Sequence, residues 1–437
     1  MSQYDFINNL LGIEDENIKI TNFLGDFTEN NVKYSYYEAN LTYEPKFCPI
    51  CGNSNRKYIH KHGSKITRPK LPKAGGKFIR LKLRKQRFLC LECGCTFSCK
   101  TTLCNTNKTI SVPLRREIVS GITTKISEKD ISKLNGVSHN TVNRIIDDSF
   151  EALDMKYNSL PLNLSFDEFK STKRCKGNMS FVFCDSSNGV LLDIVENRQL
   201  PFLLKYFRKY TKQSRAKVKT ILIDMYKPYM ILAEKMFPNA KIAIDRFHIV
   251  QHINRALSKT RINVMKDYPT NSFEYKRLKK YWKLIQRKEC DLDVSKYKHF
   301  THFKYMMTEY EVVKDTIEIS DVLANTYKIY QDLIYDIRMK NYESFRKHVV
   351  EFQYLNCSEE MKKALRTLNE FIEQIVEGIK TPYSNSVIEG INNYIKTLKR
   401  IAFGYKSFFH FRNRILICKK LILPKNIPIN EKIMEAA

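Results

Sequence analysis

No apolar stretch in this sequence is long enough to cross a bilayer, and no charged-then-apolar segment stands at Met1 to Leu11. Neither a membrane-spanning helix nor a secretory leader is therefore expected, no membrane partner is expected, and the expected location is the cytoplasm. Internal repeats and low-complexity linkers are also missing, and there is a single tryptophan, Trp282. Acids are scarce: 46 Asp and Glu stand against 75 Lys and Arg, a formal charge of +29. Such an excess calls for a polyanionic partner or an anionic surface, and nucleic acid leads. The scarcity is sharpest from Lys46 to Arg115, where 17 Lys or Arg face one acid, Glu92. At 437 residues and 43% hydrophobic content, the chain exceeds what one core usually supports, so two or three domains are expected.

Twelve cysteines would suit disulfides in a small secreted domain, yet seven lie between Cys48 and Cys104 and the rest are scattered. Cys48-Pro-Ile-Cys51-Gly and Cys90-Leu-Glu-Cys93-Gly are two C-x-x-C knuckles on either side of a basic, β-like stretch. That is the ligand set of a tetrahedral four-thiolate Zn2+ site, and each knuckle's Gly suits a tight turn around sulfur. Four protein ligands leave no open position for chemistry, so this zinc is structural. His60, His62 and Cys95 could replace a ligand but lack paired spacing and read as ordinary surface groups.

The first 45 residues read as short strands, and Pro69-Lys-Leu-Pro-Lys-Ala-Gly-Gly marks a turn between strands. Pro113 to Phe150 reads as three short helices. Within it, Ser127 to Ile146 places Ile131 and Leu134 inward, breaks at Gly136, packs Val137 in the turn and caps a second helix with Ser138. This is the helix-turn-helix pattern, in which His139, Asn140, Asn143 and Arg144 would face the major groove of double-stranded DNA.

From Leu164 to Val250, β-rich runs alternate with helical ones. Asp167 sits on a first strand, Asp224 ends a fourth, and in a ribonuclease-H-like sheet those two strands lie side by side. Acids at the ends of apolar strands are costly unless a cation compensates, which makes both of them metal-ligand candidates. Asn263 to Lys380 carries apolar residues at helical spacing, among them Leu323, Tyr327, Tyr330, Ile334 and Ile337, then Leu365, Leu368, Ile372, Ile375 and Ile379. A later helix, with Ile388, Ile391, Ile395 and Leu398 on its apolar face, carries Glu389, Asn393, Lys396 and Arg400 on another stripe. An acid there continues into cations able to hold DNA phosphates. Three carboxylates can hold two Mg2+ (or Mn2+) ions roughly 4 Å apart for an in-line displacement at phosphorus.

Through these motifs the sequence resembles the bacterial insertion-sequence transposases of the ISL-three type, nearly end to end. Cys48-Pro-x-Cys51-Gly with Arg87-Phe-x-Cys90-x-x-Cys93 looks like that family's zinc ribbon. Asp167-Glu-Phe, Asp224-Met-x-x-x-Tyr and Asn385-Ser-x-x-Glu389-Gly-x-Asn look like its acidic motifs, so the resemblance implies Asp167, Asp224 and Glu389 as the metal-binding triad. Asp245-Arg-Phe-His248 is similar to a further motif; His248 would orient the scissile phosphate or leaving group, or simply pack at a strand-to-helix turn. Trp282 would stack on a displaced base or belong to the core, and the basic, aromatic stretch Gly404 to Arg414 would continue a DNA channel.

The expected fold is multidomain α/β. Residues 1–105 hold N-terminal strands and the zinc ribbon, 106–155 the helix-turn-helix, and 156–262 with 381–437 a ribonuclease-H-like catalytic domain interrupted by an all-helical insertion at 263–380. The expected activity is a metal-dependent DNA transposase acting on terminal inverted repeats and target DNA, as a homo-oligomer, in a bacterial cytoplasm. The alternatives are a zinc-containing DNA-binding regulator, which has no need of three acids so placed, and another ribonuclease-H-like nuclease.

Overall fold

A computed structural model describes residues 3–29, 31–151, 157–175 and 177–419. Of the expected domain ranges, 1–2, 30, 152–156, 176 and 420–437 lie outside the described residues. The chain divides into two compact units: Met1–Met155, Thr172–Arg174 and Tyr394–Ala437 form the first, Lys156–Ser171 and Cys175–Asn393 the second.

The first unit opens with helix α1 (Gln3–Leu10) and strands β1 (Ile18–Glu29) and β2 (Val32–Leu41). This corrects the expectation of short strands alone: the strands run to twelve and ten residues. Strands β3 (Ile59–Thr67), β4 (Lys70–Ala74), β5 (Lys77–Cys90) and β6 (Thr96–Ser98) complete a six-stranded sheet in the order β1-β2-β5-β3, with β4 and β6 also on β5. In β5 the alternation is plain: Ile79, Leu81 and Leu83 are buried while Arg80, Lys82 and Arg84 are not. Period two thus sorts the basic stretch into one apolar and one cationic face. The turn expected at Pro69–Gly76 narrows to Gly75-Gly76, because Pro72 lies inside β4, where the ladder is irregular between Leu71 and Ala74. Proline has no N–H to give to that ladder. Three helices follow, α2 (Val112–Ile122), α3 (Glu128–Leu134) and α4 (His139–Glu151).

The second unit is built on strands β7 (Asn163–Lys170), β8 (Met179–Asp185) and β9 (Leu191–Val195), helices α5 (Leu200–Phe207) and α6 (Lys212–Ala216), β10 (Thr220–Ile223), α7 (Lys227–Met236), β11 (Lys241–Ile244) and α8 (Arg246–Lys266). The sheet order is β11-β10-β7-β8-β9: an antiparallel meander from β7 to β9, then β10 and β11 added parallel on the other side of β7. Phe166, Phe181, Phe183, Phe207 and Phe237 form the aromatic center of its core.

After α8 come α9 (Phe273–Lys280), α10 (Trp282–Ile285), a two-stranded ribbon of β12 (Lys298–His299) and β13 (Met306–Met307), then α11 (Glu309–Ile317), α12 (Asp321–Met339), α13 (Tyr342–Glu351), α14 (Glu359–Glu370) and α15 (Ile372–Lys380). The ribbon departs from an all-helical segment; it forms around a left-handed turn at His302, in a stretch rich in aromatics rather than helix formers. On α12, Leu323, Tyr327, Tyr330, Ile334 and Ile337 are all buried. The run from Leu365 to Ile379 breaks at Phe371 into α14 and α15, leaving Ile372 only partly buried. Trp282 is 40% exposed and is not a core residue. Gly378 lets α15 lie directly on β11: a Cβ there would stand 1.9 Å from the carbonyl oxygen of Ile244. The last elements among the described residues are α16 (Ser386–Ile401) and α17 (Phe408–Cys418). Among the described residues no helix is long and apolar enough to cross a membrane.

Candidate active site and zinc centre

In the second unit, β10 pairs with β7 in parallel register through Leu222 and Ser165. Asp224 and Asp167 each lie two residues further along, so the pairing brings their side chains to the same end of the sheet. Burial, together with the neighbouring Asp224 charge, pushes the Asp167 carboxyl up to about 6. His248, on the first turn of α8, meets Asp224 with its Nε2 2.8 Å from Oδ1. Burial alone would lower its basicity, but Asp224 outweighs it and holds His248 above its ordinary value. Asp245 precedes α8 and is likewise raised by burial, although the backbone N–H of Asn385 donates to it at 3.1 Å.

Glu389 lies on the exposed side of α16, and a cavity of about 170 Å³ is shared by Asp167, Asp245, His248, Asn385 and Glu389. Among the described residues no three of these groups bring their ligand atoms all within 4.8 Å of one another, as the four cysteines do. Mutually repelling carboxylates need a cation to draw them closer. The donor set suits a hard divalent ion. Besides the acids, the side-chain oxygens of Asn385 and Asn392 are buried there without a donor.

Several contributors had no role assigned from the sequence, although Asn392 and Glu168 stand in its acidic motifs. Asn392 donates to Asp167 Oδ2 at 2.7 Å, whereas Asn393, the amide expected on the Glu389 stripe, points outward and is exposed. Glu168, next to Asp167, is held by Arg198 and by the Tyr229 hydroxyl at 3.0 Å. A second cavity of about 290 Å³ joins Glu168, Arg198, Asp224, His248, His252 and Arg255. His248, His252 and Arg255 are spaced three and four apart, and that helical spacing was a usable signal.

In the first unit, Cys48, Cys51, Cys90 and Cys93 have all sulfurs within 4.8 Å of one another. Cys48 lies 3.8 Å from Cys93 and Cys51 lies 3.7 Å from Cys90, sulfur to sulfur. A tetrahedron with Zn–S bonds of about 2.3 Å has edges of about 3.8 Å, so the residues fit zinc. The two knuckles are built alike: Gly52 N donates to Cys48 O and Gly94 N to Cys90 O, both at 2.9 Å. Burial opposes ionisation of Cys48, yet the backbone amides of Cys51 and Ile50 bring its thiol down to about 7. His60 and His62 are exposed, and neither they nor Cys95 join the cluster.

Helices α3 and α4 are joined by a turn through Gly136, whose φ is +60° and whose Cβ would stand 2.7 Å from the Phe78 ring. Ser138 Oγ accepts from Thr141 N, as expected of a cap. His139, Asn140 and Arg144 are exposed, and Asn143 is half-buried. Leu134, expected inward, is 53% exposed. The buried stripe of α3 is Glu128, Ile131 and Ser132, continued by Asn135 just after the helix, and Leu134 lies off it.

The acid on that stripe has a partner from the end of the chain. His410 on α17 bridges Glu128 at 3.1 Å and Asp147 of α4 at 3.0 Å, and fully buried Arg414 donates to the carbonyls of Thr124 and Ile126. Gly404 to Arg414 is therefore not an open cationic channel. Phe411, Arg412 and Arg414 are buried, although Phe403, Lys406 and Phe409 remain exposed. Lys396 and Arg400 are exposed on α16.

A mixed α/β domain with acids at adjoining strand ends, in a chain that also carries a four-thiolate ribbon, defines a two-part class of protein. Residues 164–415 match the ISL3 family model described as transposase, and residues 44–93 match that described as zinc-finger of transposase IS204/IS1001/IS1096/IS1165. The chain belongs to the ISL3-type transposase family. It is similar to the transposase for insertion sequence element IS1001 of Bordetella parapertussis, 21% identical over 253 residues, which is 57% of this chain and 58% of that one. It is also similar to a Lactococcus lactis subsp. lactis protein named ATP-dependent protease, 36% identical over 111 residues, 25% of this chain and 35% of the relative. The chain thus spans less than two thirds of the length of either relative.

Proposed function

We propose that this protein is a DNA transposase that binds the terminal inverted repeats of an insertion sequence, cleaves DNA at the element ends and joins those ends to target DNA, working as a homo-oligomer in the bacterial cytoplasm. The observation that carries this reading is the parallel register of β7 and β10, which sets Asp167 beside Asp224 at one end of a sheet whose strand order is that of a ribonuclease-H-like domain. Asp167, Asp224 and Glu389 would hold Mg2+ or Mn2+, which when bound supplies an activated water or 3′-hydroxyl and stabilises the leaving oxygen. His248 orients Asp224 through their hydrogen bond, and Asn392 orients Asp167. The structural zinc ribbon and the α3–turn–α4 pair read DNA, with His139, Asn140 and Arg144 toward the groove and Asn143 behind them. Lys396 and Arg400 hold DNA phosphates. Segments 157–262 and 381–393 form one catalytic domain around the insertion at 263–380, whereas Tyr394 to Lys419, expected to close that domain, belong with the first unit.

The test is cleavage of duplexes carrying the element's own ends. The full chain cuts them in Mg2+, and Glu389→Gln binds the same duplexes without cutting. Cutting by Glu389→Gln at the full rate removes Glu389 from the site.

A further inference from the structure

In the first unit a cavity of about 340 Å³ opens between the 105–110 loop, Lys70 of β4 and the beginning of α4. Four cations line it, Lys70, Lys108, Arg115 and Arg144, against one acid, Asp148. Their roles differ. Lys70 is committed, its Nζ donating to the Tyr34 hydroxyl at 2.7 Å and to Gly136 O at 2.9 Å, so it fixes the turn before α4. Both terminal nitrogens of Arg115 reach Asp148 Oδ2 at 3.1 Å, which neutralises the one acid, while the buried Arg115 Nε has no partner. Lys108 and Arg144 are exposed, and among the described residues neither pairs with a carboxylate. Arg144 bonds only within its own helix, weakly, to Asn140 O at 3.4 Å and Thr141 Oγ1 at 3.5 Å.

We propose that this cleft binds a backbone phosphate of duplex DNA beside the bases that α4 reads, with Lys108 and Arg144 as its two clamps. The inference rests on the reading of α3 and α4 as a DNA-binding pair and deepens it, moving Arg144 from base reader to phosphate holder. Four cations against one carboxylate leave the cavity strongly anion-attracting, and the Ser138 and Thr141 hydroxyls on its wall suit phosphate oxygens. Its place at the start of α4 fixes the register of that helix on the duplex. B-form DNA is the polymer that fits, because the deep, narrow major groove of an RNA duplex does not admit a helix.

The experiment is fluorescence anisotropy of the full chain on an end-bearing duplex, an unrelated DNA duplex and an RNA duplex of the end sequence, across a salt series. Lys108→Ala and Arg144→Ala are compared with wild type and with Lys108→Arg. Each alanine variant should flatten the slope of log K against log salt by about 0.9, equally on both DNA duplexes, while Lys108→Arg keeps it. Both positions are exposed, so thermal melting should not move. Unchanged slopes overturn the proposal, as does a loss confined to the end-bearing duplex, which would mark base readout, or tighter binding of the RNA duplex. A wild-type chain that binds no duplex overturns the cleft and the DNA-binding reading together. A chain that shows the slope changes but never cleaves overturns the transposase reading alone.

Discussion

Asn392 donates its side-chain amide to Asp167 at 2.7 Å, three residues beyond Glu389 on α16. At the start of that helix Asn385 reaches Asp224 at 3.4 Å with its side chain and Asp245 with its backbone N–H. Positions 385, 389 and 392 are spaced four and three apart, so one helical face carries an acid between two amides that grip the acids of the strands. Asn392→Leu should lower the apparent Mg2+ affinity of cleavage ten- to a hundredfold, the usual cost of losing a group that orients a metal ligand, and leave DNA binding intact. A Mg2+ titration of cleavage rate checks it; an unchanged titration curve would make the contact ornamental.

Gly378→Ala should destabilise the second unit. Alanine gains about 1 kcal/mol of helix propensity over glycine, but its Cβ would meet the Ile244 carbonyl at 1.9 Å. Neither α15 nor β11 can yield without moving Asp245, the residue after Ile244. The clash wins, at a net cost of about 1–3 kcal/mol by urea denaturation.

Zinc removal should loosen the ribbon. The purified chain is expected to hold one zinc per molecule, and a chelator should lower its melting temperature. Cys90→Ser should lose the metal, while Cys95→Ser should keep it, since Cys95 stands outside the cluster. Metal analysis of the two variants separates these outcomes.

The α17 clamp makes stability depend on pH. Burial by itself would pull His410 down, but the Glu128 and Asp147 carboxylates hold it above its ordinary 6.5. Burial would raise Glu128, yet His410, Arg414 and His139 hold it below its ordinary 4.5. A raised histidine contributes fully below 6.5 and loses its contribution as pH rises through its folded value. A depressed glutamate contributes above 4.5 and loses its contribution as pH falls through its own. The pair therefore stabilises most between those limits. His410→Gln should cost about 1–3 kcal/mol near pH 6, with the difference from wild type shrinking toward pH 9, in urea melts across that range.

The parts of this molecule that were legible in the sequence are those whose chemistry is local. Paired C-x-x-C knuckles announce a tetrahedral site because the ligand spacing is set within four residues. Asp167 and Asp224 stood out because acids rarely close apolar strands. Leu134 misled because α3 buries a stripe through Glu128, and that acid is tolerable inside because cations meet it, above all His410, 282 residues away. Arg414 read as a surface cation for the same reason: its acceptors are loop carbonyls that only the folded unit presents. Asn392 stood in the motif that carries Glu389, but its spacing gave its amide no partner. Which of two adjacent amides turns inward depends on how α16 is rotated against β7.

The most direct measurement is Mg2+-dependent strand cleavage and joining on DNA bearing the element's own ends, wild type against Asp224→Asn, with end binding measured alongside. The account predicts that the variant binds the ends as tightly as wild type and neither cleaves nor joins. Equal cleavage by both proteins would contradict it.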